Sequence, residues 1–319
     1  MALQETHITE EHVNKIQDLH KHLLVINSPF PERPTSTAGV AIILNKQITN
    51  WETATYEVLV PGRAVIAKIE WHGGDPLTIL AVYAPTASKD NREFWETLKK
   101  EAAKHQDNFP SPDVLLGDLN FVEDSIDRFP NNLHSIDSPE SFKSLKRAWA
   151  MEDGWRKTFP AKVEWTWRNK SRTSMSRIDR IYTTEHLLAS SRAWDIQLSA
   201  INESDHSRVM AELVHANAPD TGPGKWSMCP SLVKDESFMS KAEKLGEKAL
   251  KDMESIAPEA RSDEWNPQTV WAKFKREVIS LAKRRQRELK CSVKSKIELK
   301  TKERNNKEDV QEQECQSVA

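Results

Sequence analysis

The run Leu77–Tyr83 is apolar on both alternating faces, so as an extended segment it offers no side for water to wet. It reads as the central strand of a sheet, which demands a packed layer above and another below. Further strand-like runs span Leu23–Asn27, Gly39–Leu44, Ala64–Ile69, Val114–Leu116, Glu164–Trp167, Ile178–Tyr182 and Val209–Val214. Trp194, Ile196 and Leu198 alternate with polar neighbours, the pattern of a strand with one wet face. Helical spacing is rarer: Phe94, Leu98 and Ala102 follow a capped start at Asp90 and Glu93, and a second helix is expected over Pro139–Ala150. The fold class is therefore a layered mixture of α and β.

Charge changes along the chain. Residues 1–217 hold 25 basic and 30 acidic side chains, whereas 218–319 hold 21 and 18. Ala216–Gly224 contains two prolines, two glycines and no apolar periodicity, which places a domain boundary there: a folded domain over 1–217, then a linker and basic helical tail over 218–319, partly disordered. Eight of the eleven tryptophans precede residue 200, as suits a packed core in the first domain. Cys229, Cys291 and Cys315 all follow the boundary, so the first domain has no thiolate metal ligand or cysteine nucleophile, and a reducing, intracellular setting fits. The longest apolar stretch, Ala38–Leu44, is far too short to cross a bilayer, and no membrane partner is expected. Within 271–307 stand 14 Lys or Arg against 4 acidic residues, with Trp271, Phe274, Val278, Leu281 and Ala282 on one helical face. The final twelve residues read as disordered.

Several polar groups stand where apolar runs end. Glu5 follows Met1–Gln4, Tyr83 ends the central run, Asp118 and Asn120 follow Val114–Gly117, and Asp205 and His206 lie between the Trp194 and Val209 runs. Strand ends far apart in sequence can converge on one rim of a sheet. Singly, each is ordinary: Asp and Asn close turns by bonding local backbone groups, and Asp179, between Arg177 and Arg180, could be an ion-pair partner. Trp165 and Trp167, two apart, share a strand face that is more often core than binding surface.

In order, the segments LQETH (3–7), VYAP (82–85), GDLN (117–120), SRIDRIY (176–182) and SDH (204–206) resemble the endonuclease/exonuclease/phosphatase superfamily of metal-dependent phosphodiesterases, over about residues 2–216. GDLNFVEDSIDRFP at 117–130 and WTWRNKSRTSMSRIDRIY at 165–182 are most similar to endonuclease domains of LINE-type (non-LTR) retrotransposons, particularly fungal ones. Gly222–Trp226, followed by Pro230-Ser-Leu, resembles the linker from such a domain to a reverse transcriptase.

The resemblance implies two packed, mostly antiparallel sheets flanked by helices, the four-layer arrangement of deoxyribonuclease I. It implies a DNA-nicking hydrolase that depends on Mg²⁺, with Mn²⁺ the alternative ion. A phosphodiester repels nucleophiles, so its hydrolysis needs positive charge, an in-line water and stabilisation of the charged transition state, and a hard ion on carboxylates meets the first need. By resemblance, Glu5 and Asp205 lie at or near the metal, Tyr83 bonds the phosphate, and Asp118 with Asn120 handles the attacking water. His206 donates to phosphate and Asp179 orients it. Trp165, Trp167, Arg168 and Arg172 are expected to line the nucleic-acid groove.

Members of this superfamily open with a central strand ending in an Asn that contacts the metal or its waters. Met1 stands four residues before Glu5, so this first strand is expected to be missing, its neighbours unpaired or paired with each other, and activity weak or absent. The rival expectation is a non-catalytic, nucleic-acid-binding retroelement relic, in which the 271–307 tail holds RNA or DNA by its phosphates. A nuclear location follows only if chromosomal DNA is the substrate.

Overall fold

The computed structural model describes residues 1–289 apart from 131–136, 172, 200–203 and 219–225. Arg172, Cys291, Cys315 and the tail beyond 289, including the final twelve residues, lie outside the described residues. Its strands are β1 (Ala2–Gln4), β2 (Leu23–Ser28), β3 (Val40–Asn45), β4 (Asn50–Val60), β5 (Ala64–Glu70), β6 (Pro76–Tyr83), β7 (Val114–Asp118), β8 (Arg128–Phe129), β9 (Met151–Asp153), β10 (Trp167–Arg168), β11 (Met175–Ser176), β12 (Asp179–Thr184), β13 (Arg192–Leu198) and β14 (Ser207–Glu212). The helices are α1 (Glu10–Leu19), α2 (Ser88–Lys104), α3 (Glu140–Ala148), α4 (Gly154–Thr158), α5 (Glu185–Ser190), α6 (Glu236–Glu254) and α7 (267–289).

The largest sheet runs β4-β5-β6-β7-β12-β9, antiparallel throughout except for the parallel pair β6–β7. Residue parity sorts its side chains into two cores. Ile66, Leu80, Val82, Leu115 and Tyr182 face Phe94, Trp95 and Leu98 of α2 and Phe142 and Leu145 of α3. Val65, Ala67, Ala81, Tyr83 and Ile181 face Ile26, Val40 and Ile42 of the antiparallel sheet β1-β3-β2, and Trp194 of the β13–β14 ribbon. On the outer side of the smaller sheet, Val13 of α1 covers Val25 and Ala41. The expected architecture of two packed, mostly antiparallel sheets between helices is thus the one observed, and Leu77–Tyr83 lies in its central strand.

Some elements depart from expectation. The eleven-residue strand β4 is not among the expected strands; at the sheet edge five of its eleven side chains are exposed and only Leu59 is buried, so its Thr- and Glu-rich sequence carries little apolar signal. The run Glu164–Trp167 becomes a strand only at Trp167. Leu198, expected on a covered face, is 67% exposed at the end of the two-stranded ribbon. Helix α2 starts at Ser88 after Ala87, with no side-chain cap, and Asp90 lies within its first turn, where the helix dipole favours it. Strand β1 pairs with β3 alone and β14 with β13 alone; neither has a second strand partner among the described residues.

The chain divides into two compact units, Met1–Pro219 and Asp220–Ala319. In the second, Phe238 near the start of α6 packs with Leu281 and Ala282 late in α7, and Ala249 with Val270, so the two helices run antiparallel. Asp235 caps α6 by accepting the Phe238 N–H at 2.8 Å and takes two bonds from Arg285, at 3.0 and 2.9 Å. Trp271, expected on the packed face, is 48% exposed. No helix among the described residues is long and apolar enough to cross a membrane.

Close approach of β7 to β6 depends on Gly117, whose φ is +145° and where a Cβ would lie 1.9 Å from the Val82 carbonyl oxygen. Gly117→Ala is therefore expected to cost more than about 2 kcal/mol and to lower Tm by several degrees in thermal unfolding. An unchanged Tm would show that the strands can part without cost.

Candidate active site

The strand registers bring the polar strand ends together. Tyr83 pairs with Asp118 across β6–β7, and Asp118 with Asp179 across β7–β12, so the three residues form one row over adjacent strands. Residues in such a row point to the same side of a sheet. His206, just before β14, closes the row from the ribbon, its Nδ1 lying 2.9 Å from Asp179 Oδ2. Ligand atoms of Asp118, Asp179 and His206 all lie within 4.8 Å of one another.

The neighbouring residues fix this row. Asn120, at a left-handed φ of 53°, sends its backbone N–H to Asp118 Oδ1 at 2.9 Å and its side-chain amide to Asp118 Oδ2 at 3.2 Å and Ala84 O at 2.8 Å. Tyr83 Oη donates to Glu5 Oε1. Glu5 is exposed and held at a φ of 51°, a strained conformation for a residue with a Cβ, at the end of β1. Its second carboxylate oxygen has no partner among the described residues.

Electrostatics follow from this crowding. Burial, then the Asp179 charge, push Asp118 up to about 8, with the His206 charge partly offsetting them. Burial opposes the charged form of His206, but the hydrogen bond to Asp179 and the charges of Asp179, Asp118 and Asp205 outweigh it and raise the imidazole to about 9. Burial and the bond to Glu5 raise Tyr83, so it remains a neutral donor. Glu5, Asp118 and Asp179 outnumber the cations near them, His206 and Arg63, whose guanidinium lies 4.7 Å from the centre of the Tyr83 ring. An oxygen-rich cluster in which one carboxylate is held protonated for want of positive charge fits a hard divalent cation.

The ion-pair alternative for Asp179 does not hold. Arg177 forms a fork on Asp127, at 2.7 and 2.8 Å, and Arg180 bonds Asp153 at 2.9 Å and Asp127 at 3.0 Å, all four residues being buried. Arg180 and Asp179, adjacent on β12, point to opposite faces, which leaves Asp179 to His206. The arginines instead tie β12 to β9 and to the 125–127 turn.

Of the groove candidates, Trp167 donates its indole N–H to Asp205 Oδ2 at 2.9 Å, and the Arg168 N–H bonds the Asp205 carbonyl at 3.1 Å. Arg168 also reaches Ser207 Oγ at 3.0 Å, while the Trp165 ring lies 6.1 Å from that of Phe129. Asp205 is thereby held beside His206, outside the three-residue cluster.

The sequence reading overlooked Thr166. Fully buried between the two tryptophans, its Oγ1 accepts the backbone N–H groups of Ile178 and Asp179, at 3.1 and 3.0 Å, and its carbonyl accepts that of Ser207. It thus joins the segment carrying Asp179 to the one carrying His206. A polar residue between two aromatics in a strand-like run was the available signal.

Thr166→Val keeps the shape but leaves two buried donors unpaired, at about 1–3 kcal/mol each. Tm is expected to fall, and the His206 titration seen by NMR to move from about 9 towards its ordinary value; if neither changes, Thr166 does not position the pair. The raised His206 contributes stability that is complete below its unfolded value of 6.5 and lost as pH rises through about 9. The raised Asp118 adds a cost that grows from its unfolded value of 3.8 and is complete above about 8. Metal-free protein should therefore lose Tm between pH 6.5 and 9, and His206→Asn should shrink the loss. A flat profile in the unsubstituted chain would contradict both shifts.

The sequence is 28% identical over 242 residues to an uncharacterised 149 kDa protein of transposon TX1 from Xenopus laevis, a match covering 74% of this chain and 17% of that protein. Among solved structures, the fold resembles the 3'-5' exonuclease NExo of Neisseria meningitidis, with a TM-score of 0.52, 20% identity, and coverage of 66% of this chain and 88% of that one. It also resembles an AP endonuclease of Archaeoglobus fulgidus, with a TM-score of 0.53, 19% identity, and coverage of 66% and 87%. The model of the Endonuclease/Exonuclease/phosphatase family matches residues 1–206, the span that carries the whole row of strand-end groups, and the chain belongs to that family.

Proposed function

We propose that this chain is a Mg²⁺-dependent phosphodiesterase of retroelement origin that nicks DNA. The observation that supports this reading best is the row Tyr83-Asp118-Asp179 with His206 closing it, because it gathers a base, an acid and its orienting carboxylate at one edge of the sheet. Similarity to a transposon protein supports the retroelement origin.

Glu5 would hold the divalent ion, Mg²⁺ or Mn²⁺, with Asp205 assisting, and a bound ion would supply positive charge against the phosphate. Asp118, locked by Asn120 and ionised where a cation offsets the charge of its neighbours, takes a proton from the attacking water as its oxygen bonds phosphorus. The bond from phosphorus to the leaving sugar oxygen breaks as that oxygen takes a proton from solvent. His206 keeps Nδ1 on Asp179, which directs Nε2 to a non-bridging phosphate oxygen, and the raised pKa keeps it charged at neutral pH. Tyr83 donates at the same phosphate. Trp165, Trp167 and Arg168 line the nucleic-acid groove in this reading. RNA is a second proposed partner, bound through the basic tail, and action on chromosomal DNA places the protein in the nucleus.

Incubated with supercoiled plasmid and Mg²⁺, the protein should yield open circles. Asp118→Asn and His206→Ala should each reduce this by at least about a hundredfold, with an unchanged circular dichroism spectrum. Folded protein that nicks nothing under any divalent ion would overturn the enzymatic reading and leave the nucleic-acid-binding relic in its place.

A further inference from the structure

The two helices of the second unit differ sharply in charge. Helix α6 is mixed, with Lys241, Lys244, Lys248 and Lys251 among Glu236, Glu243, Glu247, Asp252 and Glu254. Helix α7 carries seven Lys or Arg against Glu277 and Glu288. Arg285 is turned inward onto Asp235, and Lys275 lies over the Trp271 ring. The other five, Lys273, Arg276, Lys283, Arg284 and Arg287, are all exposed, and none has a carboxylate partner among the described residues. At 100° per residue they fall within an arc of about 100°, opposite the face that packs Phe274, Val278 and Leu281, and they extend over about 21 Å of helix.

Unpaired cations in a single line repel one another, and a helix needing only solubility has no use for that arrangement, as its mixed-charge neighbour shows. A line of negative charge offsets the repulsion. The geometry points to a second nucleic-acid site, distinct from the strand-end cluster: the stripe Lys273-Arg276-Lys283-Arg284-Arg287 binds the phosphodiester backbone of RNA or DNA. Trp271 lies on another face of the helix, and Trp226, whose ring centre is 5.3 Å from Lys283 Nζ, is packed against the helix pair, so the contact is with phosphates rather than bases. It is sequence-independent and steeply salt-dependent. Five phosphate contacts give a slope of log affinity against log salt of about −4.5 for duplex DNA and about −3.5 for a single strand.

The test uses the full chain carrying Asp118→Asn, with EDTA present, so that cleavage does not enter. Labelled single-stranded RNA and duplex DNA of about 30 units each are titrated by fluorescence anisotropy across about 50–200 mM salt. K273Q/R276Q/R284Q/R287Q should weaken binding to at least one of the two by tenfold or more and flatten its salt slope, whereas K241Q/K244Q/K248Q/K251Q, removing equal charge from α6, should change it by less than about threefold. R284Q/R287Q alone should give an intermediate loss, which keeps the test valid if the fourfold variant does not fold. The nucleic acid that loses more affinity is the one the stripe holds. Unchanged binding in the stripe variants, equal losses in the α6 variant, or capture of phosphatidylserine vesicles but neither nucleic acid would overturn the assignment. Plasmid nicking by the chain with Asp118 intact is scored separately, so failure of the stripe and failure of the nuclease reading are distinguishable.

Discussion

Strand β7 is held between a parallel neighbour, β6, and an antiparallel one, β12, and the chemistry of this molecule depends on that pairing. The two registers set Tyr83, Asp118 and Asp179 side by side. Backbone hydrogen bonds thereby force two carboxylates into proximity that neither would adopt in water. Gly117 allows the tight approach, and Asn120 fixes the Asp118 oxygens just beyond the strand end. Burial, with the Asp179 charge adding to it, raises Asp118, and the hydrogen bond to Asp179 together with the surrounding negative charge raises His206 against its own burial.

Such a cluster is unstable unless the frame around it is stiff. The four buried residues Arg177, Arg180, Asp127 and Asp153 provide that frame on the opposite face of β12. Replacing buried ion pairs with apolar groups is often neutral for stability, so their contribution here is to geometry: they bind β12 to β9 and to a turn while leaving Asp179 free for the imidazole. Thr166 completes the arrangement from the other side by bonding both site segments. The groups of the proposed site thus occupy strand ends whose positions are set by residues outside the row.

The first unit is acidic and carries the row of strand-end groups, whereas the second carries an exposed line of cations. A polyanionic substrate needs positive charge near it at low energetic cost. An acidic cluster that recruits a divalent ion supplies this locally, and a helix lined with Lys and Arg supplies it without a metal. As proposed, the two devices would respond to different variables, the first to metal and pH, the second to salt.

Much of the layered fold was legible in the sequence, because burial on both faces of β6 and the spacing of Phe94 and Leu98 in α2 are local patterns. The five ordered motifs likewise located Glu5, Tyr83, Asp118, Asn120, Asp179 and His206, since such groups stand at strand ends whatever their partners. Strand β4 was not legible, because an edge strand in water needs no apolar alternation. Neither was the partner of Asp179: two arginines flank it in sequence, and only the strand pleat, which turns adjacent side chains to opposite faces, sends them to Asp127 and Asp153 and leaves Asp179 with His206. Sequence by itself determined which residues could act, through residue type and the ordered motifs that resemble the family. Tertiary structure decided which of them meet, because register and facing are set by hydrogen bonds between segments far apart in sequence, as between the strands carrying Asp118 and Asp179.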